Sequence, residues 1–178
     1  EQLRELSLHR AHQHLLLDQA TRRTLEIVKN QQDGSRQGTL LATIDRSGTA
    51  MGARLLREWI LEPLIDGKVI GQRHDAVDEL VVVVDTRKAM TSTLSGMADL
   101  ERLAAKLASG RSGPRDINAL ASVLERVPNL LEQLSGLDAE RLRGLQSDLN
   151  PQTELVNEIR AALTDDPPLL VKEGGLIR

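Results

Sequence analysis

The residues of this chain best suited to binding a metal are three closely spaced histidines, His9, His12 and His14. His9 and His12 stand three residues apart in a predicted helix, so they share one of its faces, and Glu5 is the nearest carboxylate on that face. A zinc site needs a fixed set of ligands held by a second layer of hydrogen bonds. A solvated polar helix surface is favoured over a metal site, because the pair has no fixed third ligand. We predict no metal-ligating residue.

The candidates for acid–base catalysis are His74 and two groups of carboxylates. His74 has no serine or cysteine partner near it in the sequence, which favours a surface histidine over a catalytic base. The carboxylate groups are Asp75, Asp78 and Glu79, and Asp165 with Asp166. Acid–base pairs face each other across a cleft, and adjacency in sequence does not supply that arrangement. Helix caps and exposed faces are the favoured interpretation, and no catalytic residue is predicted.

The sequence has no phosphate-binding loop of the form Gly-x-x-x-x-Gly-Lys-Ser/Thr. Gly34, Gly38 and the pair Gly174–Gly175 lack both the lysine and the following helix that cradle a phosphate. We therefore expect no cofactor-binding residue in this chain, and no binding or hydrolysis of ATP by the chain alone.

A basic string crosses one predicted helix end and the loop after it: Arg102, Lys106, Arg111 and Arg115. These residues are the candidates for weak contacts with DNA phosphates. Asp99, Glu101 and Asp116 lie in the same window, and aromatic residues for base stacking are absent from it. A solvated face or intramolecular ion pairs are therefore the favoured alternative. The same two interpretations apply to Arg22–Arg23.

The composition limits the classes of protein to which this chain can belong. Its 178 residues suit one domain of ordinary size or a part of a larger protein. The chain has no Cys, Phe or Tyr and one Trp, so it has no disulfide or thiolate metal site and its core must be aliphatic. The net charge of −3 gives no general attraction to nucleic acid. No apolar run resembles a signal peptide or a membrane span, and a cytoplasmic location is expected.

The elements that would position these residues are helices. Apolar residues recur at helical spacing along most of the chain, which predicts an all-α, irregular bundle of about eight helices. One short extended segment is allowed near Leu15–Leu17. The predicted helices beyond the first, which spans Leu3–Ala11, start at Asp18, Thr49, Asp66, Asp85, Asp99, Pro114, Asp138 and Asn150–Pro151, and Asp18, Asp66, Asp85 and Asp138 are predicted caps. The helix from Asp18 is predicted to run through Ile27, and the helix from Pro114 to continue past a kink at Pro128. Val81–Val84 could form a strand, but the helical register that continues through Val81 and Val84 favours helix, with Val82 and Val83 more exposed.

One predicted helix, Thr49–Leu61, carries the single aromatic residue of the chain, Trp59. Trp59 falls on the apolar stripe of this helix, which predicts a buried anchor whose loss costs about 3 kcal/mol or more. Gly48 and Pro63 mark the limits of the helix. The three residues are structural candidates rather than chemical ones.

The domain organisation is predicted to be one helical domain over residues 1–178, belonging to a larger protein. Residues 31–38 are rich in Gly, Gln and Asp and are predicted to form a flexible loop. The chain starts at Glu1 inside a predicted helix and stops at Arg178 without a helical stop signal, so we expect further sequence on both sides. Leu169–Val171 is expected to be extended.

Four separated blocks of the chain form one ordered set: Leu17–Ile27, Leu40–Leu64 and especially Thr49–Trp59 within it, Asp99–Leu103 with Gly113–Ile117, and Asp166–Arg178. Together they resemble one family, the MutS mismatch-repair ATPases. The first resembles the family pattern Leu-Asp-x-x-Thr-x-Arg-Asn-Leu-Glu, with Thr24 where Asn is usual, which puts one local hydrogen bond in question. The blocks occur in the family's order and match the helical core, or lever, region.

This resemblance implies a larger protein that forms a homodimer, binds mismatched duplex DNA, hydrolyses ATP with Mg²⁺ and acts with downstream repair proteins. The mismatch-reading and ATPase domains would lie outside this chain, and residues 169–178 would lead toward a DNA clamp. The chain itself would be a non-enzymatic lever that links the clamp to the ATPase and relays nucleotide state. The alternatives are the same region of a MutS relative that controls recombination, and a helical adaptor that binds another protein.

Overall fold

The described part of the chain consists mainly of short helices. The computed structural model describes residues 13–168 and 175–177, and ten helices lie within them. They are α1 Gln19–Thr24, α2 Leu40–Ile44, α3 Ala50–Leu61, α4 Gly67–Val82, α5 Val84–Leu94, α6 Leu100–Ala108, α7 Pro114–Leu124, α8 Val127–Leu134, α9 Glu140–Asp148 and α10 Thr153–Ala162. Extended pairing among the described residues is limited to two isolated antiparallel bridges. The all-α prediction is confirmed.

Several predictions fall outside the described residues, namely the helix Leu3–Ala11 with Glu5, His9 and His12, and the extended segment Leu169–Val171. The extended stretch expected near Leu15–Leu17 adjoins a bridge between His14 and Leu64, and the Leu15 amide donates to the Pro63 carbonyl at 2.7 Å. In the described part of the chain, no helix combines the length and apolar character needed to cross a bilayer.

Helix starts follow local capping chemistry where the sequence provides it. The predicted caps Asp18 and Asp66 accept a backbone hydrogen bond in the first turn, and so does Asp99, at which a helix was predicted to start. Each carboxylate satisfies an amide that has no partner inside its helix, which is why an acidic residue at this position specifies the start. Thr49 does the same for α3 through its hydroxyl, which accepts from the Gly52 amide at 3.0 Å.

The start of α5 and the end of α7 differ from the prediction. Asp85 was predicted to cap the helix after the valine run, but it lies in the first turn of α5, whose cap residue is Val83. The predicted helix through Pro128 is two helices, because α7 ends at Leu124 and α8 starts at Val127. Pro128 falls in the first turn of α8, where its missing amide costs no helical hydrogen bond.

The described residues form two compact units. The first unit comprises the described residues of Glu1–Ser47 together with Ala53–His74. Its buried residues include Ile27, Leu41 and Leu61. The single domain over residues 1–178 remains a prediction.

In the first unit, α1 ends earlier than Ile27, the residue to which it was predicted to run. Glu26 adopts a left-handed conformation with φ of 47°, and the Ile27 amide donates to the Arg22 carbonyl while the Glu26 amide donates to Arg23. This pair of bonds is a Schellman ending, in which glycine is the usual left-handed residue. The Glu26 carboxylate accepts from the Gln31 amide at 2.6 Å, which helps to hold the strained residue. The chain therefore turns at Glu26, and Ile27 is buried.

The segment predicted to be a flexible loop, residues 31–38, has an internal hydrogen-bond network. Asn30 organises it: its side-chain oxygen accepts from the amides of Asp33 and Gly34 at 3.0 Å each, and its side-chain nitrogen donates to the Gln37 carbonyl at 3.0 Å. Thr39, which is fully buried, then caps α2 by accepting from the Ala42 amide. The loop assignment agrees with the structure, and its flexibility remains a prediction.

The second unit comprises the described residues of Gly48–Gly52 and Asp75–Arg178. It contains two clusters of buried aliphatic residues. One consists of Ala76, Leu134, Leu137 and Leu142, and the other of Ala121, Ile159 and Leu163. Leu and Ala at the contact positions allow neighbouring helices to pack closely without aromatic side chains, as the composition predicted. Residues 175–177 return to the end of α10, where the Thr164 amide donates to the Leu176 carbonyl at 3.1 Å.

The valine run is helical, as predicted, but its inward and outward positions differ from the prediction. Val83 packs against the first cluster, although it was predicted to be among the more exposed residues, whereas Val81 is 57% exposed. The break between α4 and α5 at Val83 resets the helical register, so the stripe does not continue through Val81 and Val84. Val82 is exposed, as predicted.

Candidate functional site

The predicted basic string lies on α6, the following turn and the start of α7, and its first two members have acidic neighbours. The Nε atom of Arg102 lies 3.3 Å from a carboxylate oxygen of Asp99. Lys106 donates to Oδ1 of Asp116 at 2.8 Å, and Oδ2 of Asp116 accepts from the Gly113 amide at 3.0 Å. The hydrogen bond from Lys106 and then that from Gly113 lower the pKa of Asp116. Asp116 therefore ties the end of α6 to the start of α7.

The other two members of the string also make contacts within the chain. Arg111 donates through Nε to the Ser109 hydroxyl at 3.0 Å. Arg115 donates to the Pro167 carbonyl at 2.9 Å, which joins α7 to the segment after α10, and its guanidinium lies 3.9 Å from Asp166. The arrangement of the four residues agrees with the intramolecular alternative. Their contact with DNA phosphates remains a prediction.

A polar centre that the sequence did not indicate lies between α10 and α7 in the second unit. Arg160 donates to both carboxylate oxygens of Glu125, at 2.6 and 2.7 Å, and to the Ser122 hydroxyl at 2.9 Å. It also donates to the side-chain oxygen of Asn118. Asn118 in turn donates to the Asp165 carbonyl at 2.9 Å. One guanidinium thus fixes three successive turns of α7 against α10.

Electrostatics agree with this geometry. The hydrogen bonds from Arg160 lower the pKa of Glu125, and those to Glu125 raise the pKa of Arg160. The arginine is separated from Glu125 by 35 residues in sequence. No local pattern could have indicated this contact, because helical spacing links only residues three or four apart.

A second missed contact involves Glu79 of α4, which the sequence grouped with surface carboxylates. Its two oxygens accept from the backbone amides of Asp138 and Ala139 at 2.7 Å each. Asp138 was predicted to cap the helix that follows, but the cap residue of α9 is Ala139, which has no side-chain bond. The hydrogen bonds from the two backbone amides lower the pKa of Glu79. Glu79 thus holds, from another helix, the two residues that precede α9.

The three structural candidates, Trp59, Gly48 and Pro63, lie in different environments. Trp59 is 37% exposed, so the prediction that it is buried is wrong. Its ring instead supports the guanidinium of Arg73, whose central carbon lies 3.7 Å from the ring centroid, a cation–π contact. Pro63 follows the end of α3 as predicted, and Gly48 precedes its start with open space where a Cβ would lie.

The described residues contain no group of three or more His, Cys, Asp or Glu side chains that could hold a metal ion. The carboxylates that the sequence grouped on α4, Asp75, Asp78 and Glu79, therefore form no such group in this part of the chain, where Glu79 accepts two backbone hydrogen bonds.

Comparison with known proteins identifies the family. A family model described as MutS domain III matches residues 20–178. The chain belongs to the MutS family. The DNA mismatch repair protein MutS of Salinibacter ruber is 41% identical over 176 residues, which cover 99% of this chain and 19% of that protein. The MutS proteins of a Synechococcus species and of Nostoc punctiforme are 45% and 40% identical over 92% and 99% of this chain.

The chain spans 18% to 20% of the length of these MutS relatives. The sequence blocks that resemble MutS correspond to structural junctions. Leu17–Ile27 forms α1 and its Schellman ending, Thr49–Trp59 forms most of α3, and Gly113–Ile117 starts α7 at the Lys106–Asp116 contact. These blocks therefore include the end of α1, most of α3 and the start of α7.

Proposed function

We propose that this chain is a non-catalytic helical lever of a MutS mismatch-repair protein, linking a DNA clamp to an ATPase domain and relaying nucleotide state between them. In this proposal, the complete protein is a cytoplasmic homodimer that binds mismatched duplex DNA, hydrolyses ATP with Mg²⁺ and acts with downstream repair proteins. ATP and Mg²⁺ are held by a domain outside this chain. The match to MutS domain III over residues 20–178 is the observation that carries the proposal.

The contacts of the second unit support a mechanical role. A lever transmits displacement only if its helices move together, and this requires contacts that resist sliding. Arg160 joins α10 to α7, Asp116 joins α7 to α6, and Glu79 joins α4 to the start of α9. At each contact a charged side chain makes at least two hydrogen bonds. Two bonds fix the orientation of that side chain as well as its distance from the partner groups.

Exposed apolar residues supply a surface on which further helices of a lever could pack. Val77, Val81 and Val82 of α4 are exposed, with Val82 at 79%. Burial of such side chains by another element stabilises an assembly by about 1.5–3 kcal/mol for each residue that is fully covered. This supports a chain that works as one part of a larger helical frame.

The non-catalytic part of the proposal is tested with the chain itself. Because it has no phosphate loop, Mg-ATP should leave its melting temperature unchanged in a thermal-shift assay. Because its net charge is −3, a gel shift should show weak binding to duplex DNA and no preference for a mismatch. A clear shift with Mg-ATP, or mismatch-selective binding at micromolar concentration or tighter, would contradict the proposal.

A further inference from the structure

A cleft of about 590 Å³ in the first unit has a lining that is rich in positive charge. It lies among residues of α1, the segment 28–34 and the second half of α3. Its cationic lining residues are Arg22, Arg23, Lys29 and Arg57, whereas Asp33 is the one carboxylate among the described residues that line it. The volume is within the range of about 300–1,000 Å³ that is typical of ligand sites. Four cations around one cleft stand out in a chain whose net charge is −3.

Arg22 supplies the most specific sign that the cleft has an anionic ligand. Its Nε atom is buried and has no hydrogen-bond partner among the described residues. Because Nε is shielded, the outer nitrogens of the guanidinium are the donors that a carboxylate in the cleft would reach, and Arg22 is among the residues that line it. The backbone of Arg22 is fixed, because its carbonyl accepts from the Ile27 amide at the end of α1.

The rest of the lining indicates the chemistry of that ligand. Val28 and Leu61 form apolar parts of the wall, and Asn30 and Gln31 add amide groups. A glutamate or aspartate side chain presents a short aliphatic stem and a planar carboxylate, and a guanidinium binds that carboxylate through two parallel hydrogen bonds. An inorganic phosphate would leave the apolar wall uncovered. A DNA duplex is convex, so it would contact only the rim, and the cleft has no aromatic residue on which a base could stack.

We propose that this cleft binds an acidic polypeptide segment that carries at least two carboxylates, one of them on Arg22 and another on Lys29 or Arg57. The adjacent hollow shares Arg22 and Arg57 and adds Arg54, but it also contains Glu58 and Glu62, so the larger excess of positive charge belongs to the cleft. The segment would lie along the 28–34 wall. This inference concerns the first unit alone and does not depend on the relay role.

The test uses the 178-residue chain and a capped tetraglutamate peptide, with a capped tetraglutamine peptide as the matched neutral probe. In a ¹⁵N–¹H titration, tetraglutamate should shift the backbone amides of Val28, Gln31 and Gly34, and tetraglutamine should not. The shifts should weaken as salt rises, because exposed charge pairs are screened. Arg57→Gln and Lys29→Gln remove the two alternative partners of the second carboxylate, so one of these variants should weaken tetraglutamate binding about tenfold through the loss of a hydrogen bond to a charged group.

Matched controls separate local recognition from general charge. Arg46→Gln and Lys68→Gln remove exposed cations of the same unit outside the cleft, and they should leave the affinity unchanged. The proposal is overturned if tetraglutamine binds equally, if the control variants weaken binding as much as the cleft variants, or if no lining amide shifts. Tighter binding of inorganic phosphate, tripolyphosphate or a DNA duplex than of tetraglutamate would also overturn it.

Discussion

The contact between Arg160 and α7 provides the sharpest stability prediction. Arg160→Met keeps the aliphatic length of the side chain but removes its hydrogen bonds to Glu125, Ser122 and Asn118. The arginine side chain is 28% exposed and that of Glu125 is 42% exposed, so the stranded partners can turn toward water. We therefore expect each hydrogen bond to contribute near the lower end of the usual stabilisation per bond. The free energy of unfolding should fall by about 1–2 kcal/mol in total.

The assay is urea unfolding followed by far-UV circular dichroism, because the single tryptophan reports only on the first unit. The midpoint should fall while the slope stays constant, which identifies a change of stability rather than of the unfolded state. A double-mutant cycle with Glu125→Gln should give a coupling energy of about 0.5–1 kcal/mol. Arg141→Met, on the exposed side of α9, is the matched control and should stay within about 0.5 kcal/mol of the original chain.

The pH dependence follows from the lowered pKa of Glu125. A carboxylate whose pKa is lower in the folded state contributes stability above its ordinary pKa of 4.5, and this stability is lost as the pH falls through the folded value. Arg160→Met should remove this part of the acid sensitivity. Zero coupling in the cycle, or an acid sensitivity that is unchanged in the variant, would refute the assignment of Arg160 as the fastening between α10 and α7.

Five further substitutions, two of them controls, test the packing of both units by the same urea assay. Leu134→Ala removes a core side chain that is 3% exposed and should lower the free energy of unfolding by about 2–5 kcal/mol. Val82→Ala, on the exposed side of α4, is the control and should change it by about 0.5 kcal/mol at most. Equal losses in the two variants would contradict the assigned core. Trp59→Ala should lower the free energy of unfolding by about 2 kcal/mol, less than the loss of a fully buried ring. In the original chain, acrylamide should quench part of the tryptophan emission. A loss of about 4 kcal/mol or more would show that the ring is buried. Gly38→Ala should cost about 1 kcal/mol because φ is 79°, while Gly48→Ala should be neutral; a neutral Gly38→Ala would contradict the turn.

The sequence predicted best what depends on neighbouring residues. Asp18 and Asp66 were assigned as caps correctly, because a cap and the amide it satisfies lie two or three residues apart. Asp138 was assigned as a cap incorrectly: the cap residue of α9 is Ala139, and the amides of Asp138 and Ala139 donate to Glu79, about sixty residues away. Local chemistry can suggest a cap, but it does not reveal a contact that comes from another helix.

Trp59 shows a related limit for burial. Helical spacing placed it on the predicted apolar stripe of α3, but periodicity reports a direction and not the presence of an element to cover it. The structure leaves the ring partly open beside Arg73. The basic string shows the opposite case: its acidic neighbours in sequence, Asp99 and Asp116, are its neighbours in space, so the intramolecular pairs could be predicted.

The central claim, that these helices relay rather than catalyse, is tested most directly in the full-length protein that carries this chain. Steady-state ATP turnover is measured for that protein and its Arg160→Met variant, without DNA, with a perfectly paired duplex and with a mismatched duplex. A relay predicts that the variant keeps its turnover without DNA and loses part of the difference between the two duplexes, because coupling is a free energy separate from catalysis. An unchanged difference between the duplexes in a variant whose second unit is measurably destabilised would contradict the account.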